Sequence, residues 1–183
     1  MARISLILPD VMIRRTLLVS LFASLFLVAC DGDHGLTARG SVTADADGRS
    51  TGFAFPDDTR LDVAGDGAAG LVTGECEMAK VGEDAWGLVV TIRRGATVDD
   101  LGLSSVTIMQ RTDADPSAGR VEAELGTTLY SPAAGATCQV DVPYAVDDGG
   151  MVGLTGDCAV QDVDGNTATV SVELDLVGCT VID

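Results

Sequence analysis

Residues Thr137–Gln161 read TCQVDVPYAVDDGGMVGLTGDCAVQ, and this stretch decides the fold. Two runs of alternating apolar and polar residues flank Asp147-Asp148-Gly149-Gly150, the pattern of a hairpin with one face buried. A three-residue loop, Asp147-Asp148-Gly149, would place Gly149 in the left-handed region, a type I turn followed by a G1 bulge. That register sets Val146 opposite Gly150, Tyr144 opposite Val152, Val142 opposite Leu154, Val140 opposite Gly156 and Cys138 opposite Cys158, all on one apolar face. Gln139, Asp141, Thr155 and Asp157 take the other. A slip of one residue would turn one strand's apolar set to solvent, so the pattern selects the register.

Working outward, Asp162-Val163-Asp164-Gly165-Asn166 is the next turn. Beyond it Val170, Val172, Leu174 and Leu176 face inward, and Thr169, Ser171, Glu173 and Asp175 outward. The apolar parity changes at Gly178, to Val177, Cys179 and Val181, which predicts a bulge. Upstream, Gly52–Phe55, Leu61–Ala64, Leu71–Lys80, Ser104–Gln110 and Arg120–Leu125 are further candidate strands. Trp86, Leu88, Val90 and Ile92 line one face of another. No run of helical periodicity appears after residue 30. The expectation is an all-β domain over 52–183: an antiparallel β-sandwich or small β-barrel of about eight to ten strands, ending in a meander. No motif in it assigns a domain family.

The N-terminus carries a different signal. Arg14 and Arg15 precede an apolar run, Thr16 to Val28, which is too short to span a bilayer core but suits a secretory signal. The start is Met1 or Met12: Pro9 and Asp10 fit such a basic region poorly, whereas Met12-Ile13-Arg14-Arg15 opens a compact signal. The run ends in Leu27-Val28-Ala29-Cys30. This sequence resembles the lipobox of bacterial lipoproteins at every position. The resemblance implies cleavage between Ala29 and Cys30, a diacylglycerol on the Cys30 thiol, and acylation of the new N-terminus. Residues 1–29 would then be signal, and the membrane would be reached through lipid on Cys30. Arg14-Arg15-Thr16 also resembles a twin-arginine signal, but two arginines are ordinary in such a region, and disulfides favour export of the unfolded chain. Asp31 resembles the inner-membrane retention signal of enteric lipoproteins. That rule varies between bacterial groups and leaves inner or outer membrane open. Residues 30–51, rich in Asp, Gly, Ser, Thr and Ala, read as the lipidated Cys and a flexible tether holding the domain roughly 25 Å from the bilayer.

Of the 28 acidic and 11 basic side chains, only Asp10, Arg3, Arg14 and Arg15 precede Cys30, so the remainder stands at −19 with His34 neutral. Such a surface repels nucleic acid and anionic headgroups and excludes nucleic acid as a partner. With Cys30 assigned to lipid, Cys76, Cys138, Cys158 and Cys179 remain. An even count in an oxidising compartment implies disulfides, and four cysteines allow three connectivities. The hairpin register pairs Cys138 with Cys158 and leaves Cys76 with Cys179. Structural zinc would need close Cys or His spacing, which is missing, so no metal or other cofactor is expected.

The constellations of enzymes are missing too. His34, the single histidine, lies close to the anchor, and Lys80 is the single lysine. Ser-His-Asp and Cys-His chemistry therefore lack a base. The pairs Asp57-Asp58, Asp99-Asp100 and Asp147-Asp148 fall in turns, where Asp is ordinary. The chain reads as a non-enzymatic envelope lipoprotein, an interaction or surface module with an envelope protein as its possible partner. The alternative is a ligand-binding β-domain. It would take calcium at Asp162-x-Asp164-Gly165-Asn166 or Asp45-x-Asp47-Gly48, or a small apolar molecule beside Trp86, Tyr144 and Leu154. Neither acidic loop carries the complete calcium pattern.

Overall fold

A computed structural model of the chain describes residues 35–62, 71–95, 102–135 and 138–182. They form eleven strands: β1 Thr37–Ala46, β2 Arg49–Arg60, β3 Val72–Lys80, β4 Trp86–Arg94, β5 Leu103–Arg111, β6 Arg120–Leu125, β7 Thr128–Pro132, β8 Cys138–Val146, β9 Met151–Gln161, β10 Thr167–Val177 and β11 Thr180–Ile182. A single 3₁₀ turn, Pro116–Ala118, is the one helical element among the described residues. The all-β expectation holds. Strand order along the sheet is β11-β3-β4-β5-β6-β7-β9-β10-β1-β2, with β8 also on β9. The two end strands do not pair with each other, so the sheet is not closed into a barrel.

The two halves of this sheet face each other as a sandwich. In one, Phe53, Val42, Val172, Gly156 and Val140 form an inward rung across β2, β1, β10, β9 and β8. In the other, Cys76, Val90, Ile108 and Val121 do the same across β3, β4, β5 and β6. Strand β7 joins the halves, pairing with β6 through Thr128–Tyr130 and with β9 through Ser131 and Pro132. On the other side β2 runs past the strand ends of the second half. There Thr51 Oγ1 accepts from the Leu103 amide at 3.0 Å, Arg94 Nη2 donates to the Gly52 carbonyl at 3.0 Å, and the Gly74 amide donates to the Asp62 carbonyl at 3.0 Å. Arg94 also lies over the Phe53 ring, 5.0 Å from its centroid, an amphipathic side chain closing an apolar seam.

Four expectations are corrected. First, the supposed tether contains strand: Thr37–Ala46 is β1, and β2 begins at Arg49. The alternation is present but built from small residues, with Ala38, Val42 and Ala44 buried and Arg39 and Asp45 exposed. Asp47 and Gly48, at φ 51° and 73°, make a two-residue turn between Ala46 and Arg49. Asp-Gly is the favoured sequence for such a primed turn.

Second, the Cys138/Cys158 register holds only from Cys138 to Asp141. It shifts between Asp141 and Tyr144, and Tyr144 then faces Gly153 and Val146 faces Met151. Pro143 has no amide to give the ladder, which makes it a natural place for the irregularity. The loop has four residues, Asp147–Gly150, with both Gly149 and Gly150 at positive φ. Gly150 is required there, because a Cβ would collide with the Cys179 carbonyl. Third, Leu61–Ala64 is no separate strand in its described part: Leu61 follows β2 and is buried, and Asp62 makes a single bridge to Thr73. Fourth, Gly178, at φ 92°, does more than bulge the strand. It passes the chain from β10 to β11, which pairs in parallel with β3 in the opposite half.

Candidate functional site

Both expected cysteine pairs form. Cys138–Cys158 spans directly opposed residues of β8 and β9, and Cys76–Cys179 ties β3 to the switch after β10. Their Cα separations are 3.9 and 4.6 Å. All four residues are buried. Ala29, Cys30 and His34 lie outside the described residues.

The outer face of β8, β9, β10 and β1 carries a succession of polar rungs. Its rungs read Gln139–Asp157–Ser171–Thr43, then Asp141–Thr155–Glu173–Ser41, then Tyr144–Gly153–Asp175–Arg39. A shallow groove of about 600 Å³ crosses it, bordered by Gln139, Asp141, Thr155, Asp157, Thr169 and Pro116. The Tyr144 hydroxyl donates to Asp175 Oδ1 at 2.6 Å. Partial burial of the phenol, then the hydrogen bond and charge of Asp175, push its pKa up to about 12. Tyr144 is therefore a neutral donor at physiological pH, and Asp175 holds it in place. Sequence reasoning put Tyr144 inside. The chain switches its parity at Pro143, and the ring lies outside over Gly153.

This overturns the apolar site drawn from Trp86, Tyr144 and Leu154. Leu154 is buried, Tyr144 is on the outer face, and Trp86 is half-buried under Lys80, whose Nζ sits 5.9 Å from the ring centroid.

The two acidic loops are turns. Asp162 is buried, and its Oδ1 accepts from the Asp164 and Asn166 amides at 2.9 and 2.8 Å. Its Oδ2 accepts from Asn166 Nδ2 at 2.7 Å. Those bonds, Asn166 foremost, hold its carboxyl below the usual range. An Asx turn uses these oxygens internally. Among the described residues no group of three His, Cys, Asp or Glu side chains is arranged to hold a metal ion.

One buried polar residue had no signal in the periodicity. Gln110, on an inward position of β5, donates from Nε2 to the Val140 carbonyl at 2.7 Å and to Pro116 O at 3.3 Å, while its Oε1 accepts from the Arg111 amide at 2.8 Å. It pins β5 to β8 and to the 3₁₀ turn, a structural task.

Compared with family models, with curated proteins and with solved structures, the chain matches none.

Proposed function

We propose that this chain is a bacterial envelope lipoprotein: a disulfide-stapled β-sandwich held to a membrane through acyl chains on Cys30, serving as a non-enzymatic interaction or surface module. The observation that carries the reading is Leu27-Val28-Ala29-Cys30 at the end of a basic and then apolar leader. Two features support it. All four remaining cysteines are paired, as suits an oxidising compartment outside the cytosol. The strongly acidic remainder keeps a tethered domain solvated and away from anionic surfaces. The outer face of β8, β9, β10 and β1, with its fixed Tyr144 donor and exposed carboxylates, is the surface we assign to contacts with a basic or polar partner.

The test is expression with the native leader in a bacterial host fed labelled palmitate, beside Cys30→Ala. Label and membrane association in the wild type, both lost in Cys30→Ala, support the anchor. Wild-type protein recovered unlabelled in the soluble fraction contradicts it.

A further inference from the structure

Val146 ends β8, Met151 begins β9 and Val177 ends β10. Each points to the outer face and is exposed, at 37, 36 and 47 %. Val146 and Met151 are directly opposed, and Met151 and Val177 follow the last inward pair of their ladder, Val152 and Leu176. Scattered exposed apolar side chains are normal, whereas several on adjacent strands at one rim make a surface.

The chain enters the domain at this rim. Thr37, the first residue of β1, pairs with Val177, and its Oγ1 donates to the Val177 carbonyl at 3.3 Å. Thr37 stands seven residues after Cys30. Even fully extended, that length reaches no more than roughly 25 Å. The ten residues of β1 carry the sheet about 33 Å away from the entry point. At that far end lies Val163, 98 % exposed in the Asp162–Asn166 turn.

We infer that the Val146–Met151–Val177 rim rests on the bilayer that holds Cys30. The inference depends on the lipoprotein reading, because the short connection is what confines this rim to the membrane. Such confinement raises the effective concentration of a weak apolar contact, so a small patch suffices. The charges around the rim select the headgroup. Asp147 and Asp148 are the first two residues of the loop joining Val146 to Met151, and Asp175 lies one rung inward with Arg39 beside it. Arg60 pairs with Thr37 across β1 and β2. The acidic loop disfavours anionic headgroups, so the fitting surface is a zwitterionic bilayer.

The experiment uses the full lipidated chain with its native tryptophan replaced, Trp86→Phe, and one new tryptophan at either end, Met151→Trp or Val163→Trp. Each protein is reconstituted in phosphatidylcholine vesicles containing brominated lipid. Flotation with the vesicles and the intact mass report the anchor separately from the rim. The inference expects fluorescence from Met151→Trp to be blue-shifted and largely lost to bromine, that from Val163→Trp to be unchanged, and the loss to diminish when phosphatidylglycerol is added. Vesicle-bound, acylated protein with equal, unquenched emission at both positions overturns the rim contact alone and leaves the outer face for a protein partner. Protein without acyl chains that fails to float overturns the rim and the anchor together.

Discussion

Tyr144 on β8 reaches over Gly153 on β9 to donate its hydroxyl to Asp175 on β10, so two side chains bridge three strands. The glycine is what lets the ring lie there, since a Cβ at 153 would meet Cε1 and Cδ1 of Tyr144.

Tyr144→Phe is expected to cost about 1 kcal/mol, the net value of one partly exposed hydrogen bond to a carboxylate. Gly153→Ala should displace the ring and cost at least as much. In a double-mutant cycle the two losses should be less than additive, because both remove the same bridge. Urea unfolding of the four proteins checks this.

The raised Tyr144 pKa fixes a pH dependence. The folded state holds the phenol proton more tightly than the unfolded chain does, so this contribution is complete below the ordinary tyrosine value of 10.0 and is lost as pH rises toward about 12. Burial also raises Tyr130. Phenolate absorbance should therefore begin to rise only above the ordinary range, and Tyr144→Phe should remove the later component.

The disulfides differ in leverage. Cys76–Cys179 closes a separation of 103 residues and Cys138–Cys158 one of 20. Chain-entropy reasoning gives about 4.7 and about 3 kcal/mol respectively. Paired alanine substitutions should thus lower stability more at the long-range bridge, as read by melting with and without reductant.

Gln110→Leu keeps the volume but strips partners from the carbonyls of Val140 and Pro116. The expected loss is roughly 1–3 kcal/mol, with the β5–β8 seam opening first. Hydrogen exchange at β8 amides checks the location.

Asp162 predicts the opposite pH trend from Tyr144. Its carboxyl titrates below 3.8 in the fold, so its contribution is complete above the ordinary carboxylate range and vanishes as pH falls through the lower folded value. Asp162→Asn should be less stable than wild type at neutral pH, and the gap should close in acid. Calcium should not shift the melt, because the oxygens already serve the turn.

The residues show why some of this was legible. The hairpin of Cys138 and Cys158 was readable because large apolar side chains alternate with polar ones and a cysteine sits at each end of the rung. Strand β1 was not, because Ala38 and Ala44 bury little surface and resemble linker composition. The Asp47-Gly48 turn was the one signal that marked it. Period-two alternation carried through Pro143 puts Tyr144 on the inner face, whereas the ladder shifts between Asp141 and Tyr144 and turns the ring outward. Gln110 was invisible because its value lies in partners far along the chain. The outer-face rungs followed from alternation, but their juxtaposition required the order β8-β9-β10-β1, which closes long separations.

The most direct test of the account is the intact, non-reduced mass of the protein extracted from its own membranes. We expect a chain beginning at Cys30, carrying acyl groups, and lighter by the four hydrogens that two disulfides remove. An unacylated chain, or one with four free thiols, would contradict the account at its foundation.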